Sequence, residues 1–131
     1  MAKTITITDE EYEKIKSQIQ EQPIGLAIKN RWTGAIIFQS TKTTYMEAVK
    51  EALERNSNLR NSNLRNSDLS NSNLSDSNLS GSNLSGSDLR DSNLSGSEMR
   101  NVKFYGKGGT TKIKKSQIND LFKALGIIVE D

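Results

Sequence analysis

The sequence predicts a mainly β fold: a short repeat solenoid held between a small α+β segment and a C-terminal helix. Three observations carry this. From residue 56 one five-residue phrase recurs, as in Asn61-Ser62-Asn63-Leu64-Arg65. A large apolar side chain keeps its phase at Leu59, Leu64, Leu69, Leu74, Leu79, Leu84, Leu89 and Leu94, and Met99 and Phe104 continue it. Serine stands two residues before the apolar position in nine consecutive units, from Ser57 to Ser97. The segments on either side lack the period.

A period of five fits neither common element. Five steps along an α-helix rotate a side chain by about 500°, so the leucines would spiral and form no stripe. Along a flat strand five is odd, and successive leucines would alternate between faces. All the apolar side chains share one interior only if the backbone turns a corner within each unit, as in a solenoid. The Ser, Asn, Asp and Gly of residues 56–101 would otherwise suit a flexible polar linker, but a linker has no reason to hold leucine at one phase.

Three segments follow from this: an α+β cap at 1–55, the repeats at 56–106, and a linker, helix and apolar tail at 107–131. In the first, Lys3 to Thr8 alternates Thr with Ile and reads as a strand. Thr8-Asp9-Glu10-Glu11 is a capping box opening a helix to about Gln20, with Tyr12, Ile15 and Ile19 as its buried stripe. After Pro23, Ile24–Lys29 and Ala35–Phe38 read as a hairpin around Asn30-Arg31-Trp32-Thr33-Gly34. Thr44-Tyr45-Met46-Glu47 is a second capping box, and its helix buries Tyr45, Ala48, Val49, Ala52 and Leu53. This segment would plug the N-terminal end of the solenoid.

Beyond the repeats, Lys107-Gly108-Gly109-Thr110-Thr111 reads as a flexible elbow. Ser116 is placed to cap a helix whose apolar positions Ile118, Leu121, Phe122 and Leu125 have helical spacing. Gly126 closes it, and Ile127-Ile128-Val129 follows as an extended apolar tail. This helix either covers the end of its own solenoid or pairs with a second copy as a homodimer.

The repeats resemble the pentapeptide-repeat family, whose unit is a small residue, Asp or Asn, Leu or Phe, a polar residue and often Gly. Residues 56–106 match in register, with Asn58, Asn63, Asp68, Asn73, Asn78, Asn83, Asp88 and Asn93 in the amide or acid slot. Ser departs from the usual Ala in the small slot, and an inward hydroxyl costs about 1–3 kcal/mol without a partner. The resemblance implies a right-handed quadrilateral β-helix, four units per coil and about two and a half coils. It stacks Arg60, Ser80 and Arg100 on one face, Arg65, Ser85 and Tyr105 on the next, Ser70 and Arg90 on the third, and Ser75 and Ser95 on the fourth. Residues 28–34, a strand and a helix later, are similar to the leader of some bacterial and phage-encoded repeat chains.

Function is much less visible. The chain has no histidine and no cysteine, so the commonest general base and the commonest soft nucleophile are missing. No catalytic, cofactor or metal residues are expected, and the chain reads as a non-enzyme. Asp68 and Asp88 stack, but on an exposed wall without a pocket. Cysteine is also missing as a disulfide staple, and no signal peptide or membrane span is evident, which together suit the cytoplasm. The leading expectation is a scaffold presenting solenoid faces to a protein partner. Arg31 and Trp32 are candidate anchors at the hairpin tip, unless Trp32 packs on its own sheet, and Arg60 and Arg100 are candidates on the wall.

Two other readings compete with the scaffold. Inhibition of gyrase by DNA mimicry, implied by some members of the family, needs a long acidic rod. Here Arg60, Arg65, Arg90, Arg100 and Lys103 balance Asp68, Asp76, Asp88, Asp91 and Glu98, so the wall is neutral. Nucleic-acid or anion contact would fall to Lys107, Lys112, Lys114 and Lys115, a modest cluster in a chain of net charge +2.

Overall fold

The computed structural model describes residues 6–21, 25–106, 109–128 and 130. Three helices, α1 (Asp9–Glu21), α2 (Tyr45–Glu54) and α3 (Ile118–Ala124), flank the repeats. Strands β1 (Ala27–Asn30), β2 (Ile36–Gln39) and β3 (Ser62–Asn63) form one small sheet in the order β2-β1-β3. A second ribbon pairs β4 (Tyr105–Gly106) with β5 (Gly109–Thr110).

Strands are short because the repeats meet through single bridges. Parallel bridges tie Asn63 to Asn83, Asp68 to Asp88, Asn73 to Asn93, Asn78 to Glu98 and Asn83 to Lys103. Each joins residues twenty apart, so every unit lies over the one four units later. A corner every five residues leaves room for no more pairing per side. Helix therefore covers more of the described chain than strand does, although the repeats are held by β-type bonds.

The corners explain the polar composition. Asn56, Asn61, Asn66, Asn71, Asp76, Gly81, Gly86, Asp91, Gly96 and Asn101 all take a φ between 58° and 72°. That left-handed region excludes most side chains and favours Gly, Asn and Asp, the residues found. Two positions later the Asn or Asp before each leucine closes a small turn. Its Oδ1 accepts the amide of the residue after the leucine, as Asn58 does from Arg60 at 3.0 Å and Asn93 from Ser95 at 3.0 Å.

Leu59 through Leu94 and Met99 are all at most 1% exposed and form a continuous column, with Val102, Phe104 and Ile113 half-buried beside it. The serine column is mostly satisfied: Ser67, Ser72, Ser77, Ser92 and Ser97 donate to the carbonyl of the preceding leucine, at 2.5–2.7 Å. Ser62, Ser82 and Ser87 are buried without a partner for their hydroxyls. Beside Ser87, Thr111 Oγ1 donates to the Leu84 carbonyl at 2.6 Å.

At the N-terminal end β1 pairs antiparallel with both β2 and β3, with a bulge between Ile28 and Lys29. It covers the edge of the side that runs through Asn63, Asn83 and Lys103. The capping of α2 is as expected, with Thr44 Oγ1 accepting the Glu47 amide, and Ala48, Val49 and Ala52 are buried in the core. Ser40, also buried, ties the preceding loop to α2 by donating to Glu51 at 2.7 Å. That hydroxyl is the main reason the Glu51 carboxyl titrates below its ordinary value.

Several expectations need correction. Thr8 Oγ1 accepts the Glu11 amide and opens α1, but Tyr12 and Ile15 are 53% and 45% exposed, so no buried stripe runs along residues 9–16. The expected first strand falls mostly outside the described residues, and Thr6–Thr8 form none. Gly109–Thr111 is no free elbow. β5 pairs with β4, and the Thr111 amide donates to Phe104 at 2.7 Å. The ribbon adds four residues, so Asp88 bridges to Lys112, twenty-four residues on, and the ladder resumes beyond it. Ser116 caps nothing: it lies inside a 3-10 turn, Lys115–Gln117, that leads into α3. Gln117 supplies the bonds instead.

Candidate functional site

Gln117 is 7% exposed, and its Nε2 donates to the Leu89 carbonyl at 2.6 Å and the Ser92 carbonyl at 2.9 Å. Its Oε1 accepts the Lys114 amide at 2.8 Å. The Met99 amide then donates to Ala124 at 2.8 Å, which fixes the end of α3 to the last fully buried leucine-phase position. Leu121 and Ala124 are buried in the core, Ile118 and Leu125 are half-buried, and Phe122 is 36% exposed. The apolar face of α3 therefore lies on its own repeats, through a glutamine that helix-capping rules overlook.

On the wall, backbone bonds from Asn61 to Ser80 and from Gly81 to Arg100 set Arg60, Ser80 and Arg100 one above another. Arg60 and Arg100 are exposed and belong to no close ion pair among the described residues. The third side carries a tighter cluster, in which the stacked Asp68 and Asp88 expected from the sequence are joined by an Arg90–Asp88 pair that the repeat pattern did not reveal. Arg90 donates twice to Asp88, at 2.9 and 2.7 Å, and its amide adds a third bond. These bonds hold the Asp88 carboxyl down at about 2. Asp68, bridged to Asp88, is also lowered, by the Ser70 hydroxyl and then the Ser70 amide. Both carboxylates are thus ionised at neutral pH, and neither is tuned for acid–base chemistry.

The lysines have different neighbours. Lys112 sits in the ladder opposite Asp88, Lys114 is 2.8 Å from Asp91, and Lys115 opens the 3-10 turn. Lys107 lies outside the described residues.

The hairpin tip is the most developed surface feature. Asn30 Oδ1 accepts the amides of Trp32 and Thr33 at 2.9 and 3.0 Å and so sets the turn. The Arg31 amide donates to Asn61 at 2.8 Å, and its guanidinium donates to the Gly81 carbonyl at 2.9 Å. That same guanidinium stacks on the Trp32 ring, 4.7 Å from its centroid. Trp32 remains 66% exposed, and Ile36, where β2 begins, is 58% exposed. Packing of Trp32 on its own sheet is not what the structure shows: its partner is Arg31, clamped in turn to the repeats.

A groove of about 480 Å³ runs between α2 and the fourth unit, lined by Met46, Val49, Leu53 and Leu74 with Lys50 and Glu54 at its rim. Among the described residues no group of His, Cys, Asp or Glu is placed to hold a metal ion, and no helix is long and apolar enough to cross a membrane.

Comparison with known proteins agrees with the geometry of the corners and the ladder. The family model for pentapeptide repeats matches residues 55–91 and 72–106, in eight copies. No curated protein and no solved structure matches the chain. With the leucine column, the twenty-residue ladder and these eight copies in agreement, residues 55–106 are pentapeptide repeats of that family.

Proposed function

We propose that this protein is a non-enzymatic interaction scaffold, built on a right-handed quadrilateral β-helix of about two and a half coils. It binds a protein partner through the hairpin tip and the adjoining wall. The observation that supports this reading is the Arg31–Trp32 pair. An aromatic ring left 66% exposed costs solvation unless something covers it, and it is held rigid by a stacked guanidinium anchored on the Gly81 carbonyl. Trp and Arg in a pre-organised pair are the residue types that carry most binding energy at protein interfaces. Ile36 extends the patch, and Arg60 and Arg100 supply charge on the wall.

Pentapeptide-repeat proteins are generally non-enzymatic, and the lowered carboxylates of Asp68 and Asp88 are of no use as proton donors at neutral pH. DNA mimicry is disfavoured by the neutral wall, and contact with nucleic acid by the pairing of Lys114 with Asp91 and by a chain net charge of only +2. A photo-crosslinker placed at position 32 or 36 in cells tests the scaffold reading. A discrete protein adduct at these positions, lost on Arg31→Ala and unformed from position 43, is expected. Adducts of equal yield from all three positions would remove the tip as the contact. Inhibition of gyrase supercoiling, or salt-sensitive binding to duplex DNA, would instead favour the competing readings.

A further inference from the structure

β1 extends one ladder of the repeats. Lys29 faces Asn63 across the β1–β3 pair, and parallel bridges carry the register on through Asn83 to Lys103. Residues in register on adjacent strands present their side chains to the same face, so these four stand in one column. Three steps at strand spacing make the column about 14 Å long. Lys29, Asn63 and Lys103 are exposed, and Asn83 is half-buried. The Lys103 side chain lies along its own strand beside Gly106, which keeps its ammonium on this side.

Both asparagines turn their acceptor toward the backbone. Asn63 Oδ1 accepts the Arg65 amide at 3.2 Å, and Asn83 Oδ1 accepts the Ser85 amide at 3.0 Å and its hydroxyl at 2.7 Å. These bonds fix the orientation of each side-chain amide and leave its Nδ2 as the outward group. Among the described residues neither Nδ2 has an acceptor and neither lysine has an ion-pair partner. The column is therefore four donors in a row. Residues 27–39, 61–66, 81–86 and 101–106, which build this side and the hairpin joined to it, contain no Asp or Glu. Arg31 and Arg65 flank the column, one on each side, and add two further cations. The adjoining sides do carry carboxylates, Glu98 on the first and Asp68 and Asp88 on the third, so the acceptor-free strip is one side wide.

We propose that this column seats an acidic, extended segment of the protein partner, whose carboxylates accept from Lys29, Asn63, Asn83 and Lys103. The inference rests on the scaffold reading and names the chemistry of the partner beside the Arg31–Trp32 tip. A row of donors without acceptors is complementary to a row of acceptors without donors, which is what ionised Asp and Glu supply. An extended segment of about four residues spans the column. A wider polyanion such as a duplex would lie over the carboxylates of the adjoining sides, and a net charge of +2 gives it little long-range attraction. The contacts are exposed, so binding through the column alone is weak and falls with salt.

Fluorescence anisotropy of the full chain with a labelled oligoglutamate peptide, at low and at physiological salt, tests this. Two double variants make the same change in the same slot on different sides: Asn63→Asp with Asn83→Asp, and Asn73→Asp with Asn93→Asp. Asp already fills that slot at Asp68 and Asp88, where its Oδ1 accepts the corresponding amide at 3.0 Å, so the turns survive the exchange. Circular dichroism checks that both variants keep the wild-type fold. Net charge changes equally in the two. The first pair should weaken peptide binding at least about tenfold and the second by less than about threefold. Equal losses would mean attraction to net charge alone and would overturn the proposal. So would a wild-type chain that does not bind the peptide, or one that binds an oligothymidylate of equal charge more tightly, which would make the column a nucleic-acid surface. Crosslinking in cells from position 32 separates this inference from the scaffold reading. An adduct lost in the first double variant and kept in the second supports the acidic seat; an adduct kept in both leaves the scaffold standing and removes the seat.

Discussion

Ser82 should be a position where serine weakens the protein it belongs to. Its side chain is fully buried and its hydroxyl has no partner, while Ser77, one unit earlier, is 5% exposed and donates to the Leu74 carbonyl at 2.6 Å. The same exchange for alanine should therefore have opposite signs at the two sites. Ser82→Ala removes a buried hydroxyl whose desolvation is uncompensated, a cost of about 1–3 kcal/mol, and leaves a methyl that fits the same small slot. Ser77→Ala gives up a hydrogen bond with a net worth of about 0.5–1.5 kcal/mol. For a chain of this size one kcal/mol moves the midpoint by about 3–5 °C. Thermal unfolding followed by circular dichroism should place Ser82→Ala several degrees above Ser77→Ala, with wild type between them. Urea midpoints should rank the three in the same order. If both variants fall below wild type by similar amounts, Ser82 has a partner, and the contrast drawn between satisfied and unsatisfied serines is wrong.

Other expectations follow from the same geometry. At Asn66, with φ of 58°, exchange for glycine should leave stability within a few tenths of a kcal/mol, while exchange for alanine should cost about 1–2 kcal/mol; chemical denaturation of the pair measures the difference. Asp88 titrates at about 2 in the folded chain, below its unfolded value, so its contribution is present above about pH 4 and fades as pH falls toward 2. Asp88→Asn should accordingly show a shallower loss of thermal midpoint than wild type between those limits. Gln117→Ala leaves the Ser92 carbonyl and the Lys114 amide without the glutamine that pairs them and should cost about 1–3 kcal/mol, with exchange protection at the Met99 amide falling more than at Leu64.

What could be read in advance was whatever repeats. The leucine phase requires a corner in each unit, and the twenty-residue bridges agree with the four units per circuit that the family resemblance implies. The Asn, Asp and Gly at the corners were visible as composition, though their meaning, a left-handed φ, emerges only once the corner is located. The features missed are those that interrupt the period. The β4–β5 ribbon inserts four residues before the ladder resumes at Lys112, and no local signal marks the resumption. Ser116 looks like the cap by residue type, yet Gln117 has the reach to bond carbonyls at the end of the stack. On α1 the spacing of Tyr12 and Ile15 promised burial, but spacing cannot say whether a neighbouring surface exists. Arg31 and Trp32 were nameable as residue types, but their stacking depends on where the Gly81 carbonyl lies, fifty residues away.

The constant offset of the bridges also has a kinetic consequence. Nearly every stabilising contact between units closes a loop of about twenty residues, neither the few of a helix nor the many of a sandwich. The first closure is then the costly one, because its loop entropy is lost before any neighbour repays it. Each later unit adds to a formed edge and needs only its own five residues ordered. Folding should therefore start at one closure and advance unit by unit, and a single slow step should govern the rate wherever it begins. Lengthening the chain by whole sets of four units should raise stability while leaving that step almost unchanged.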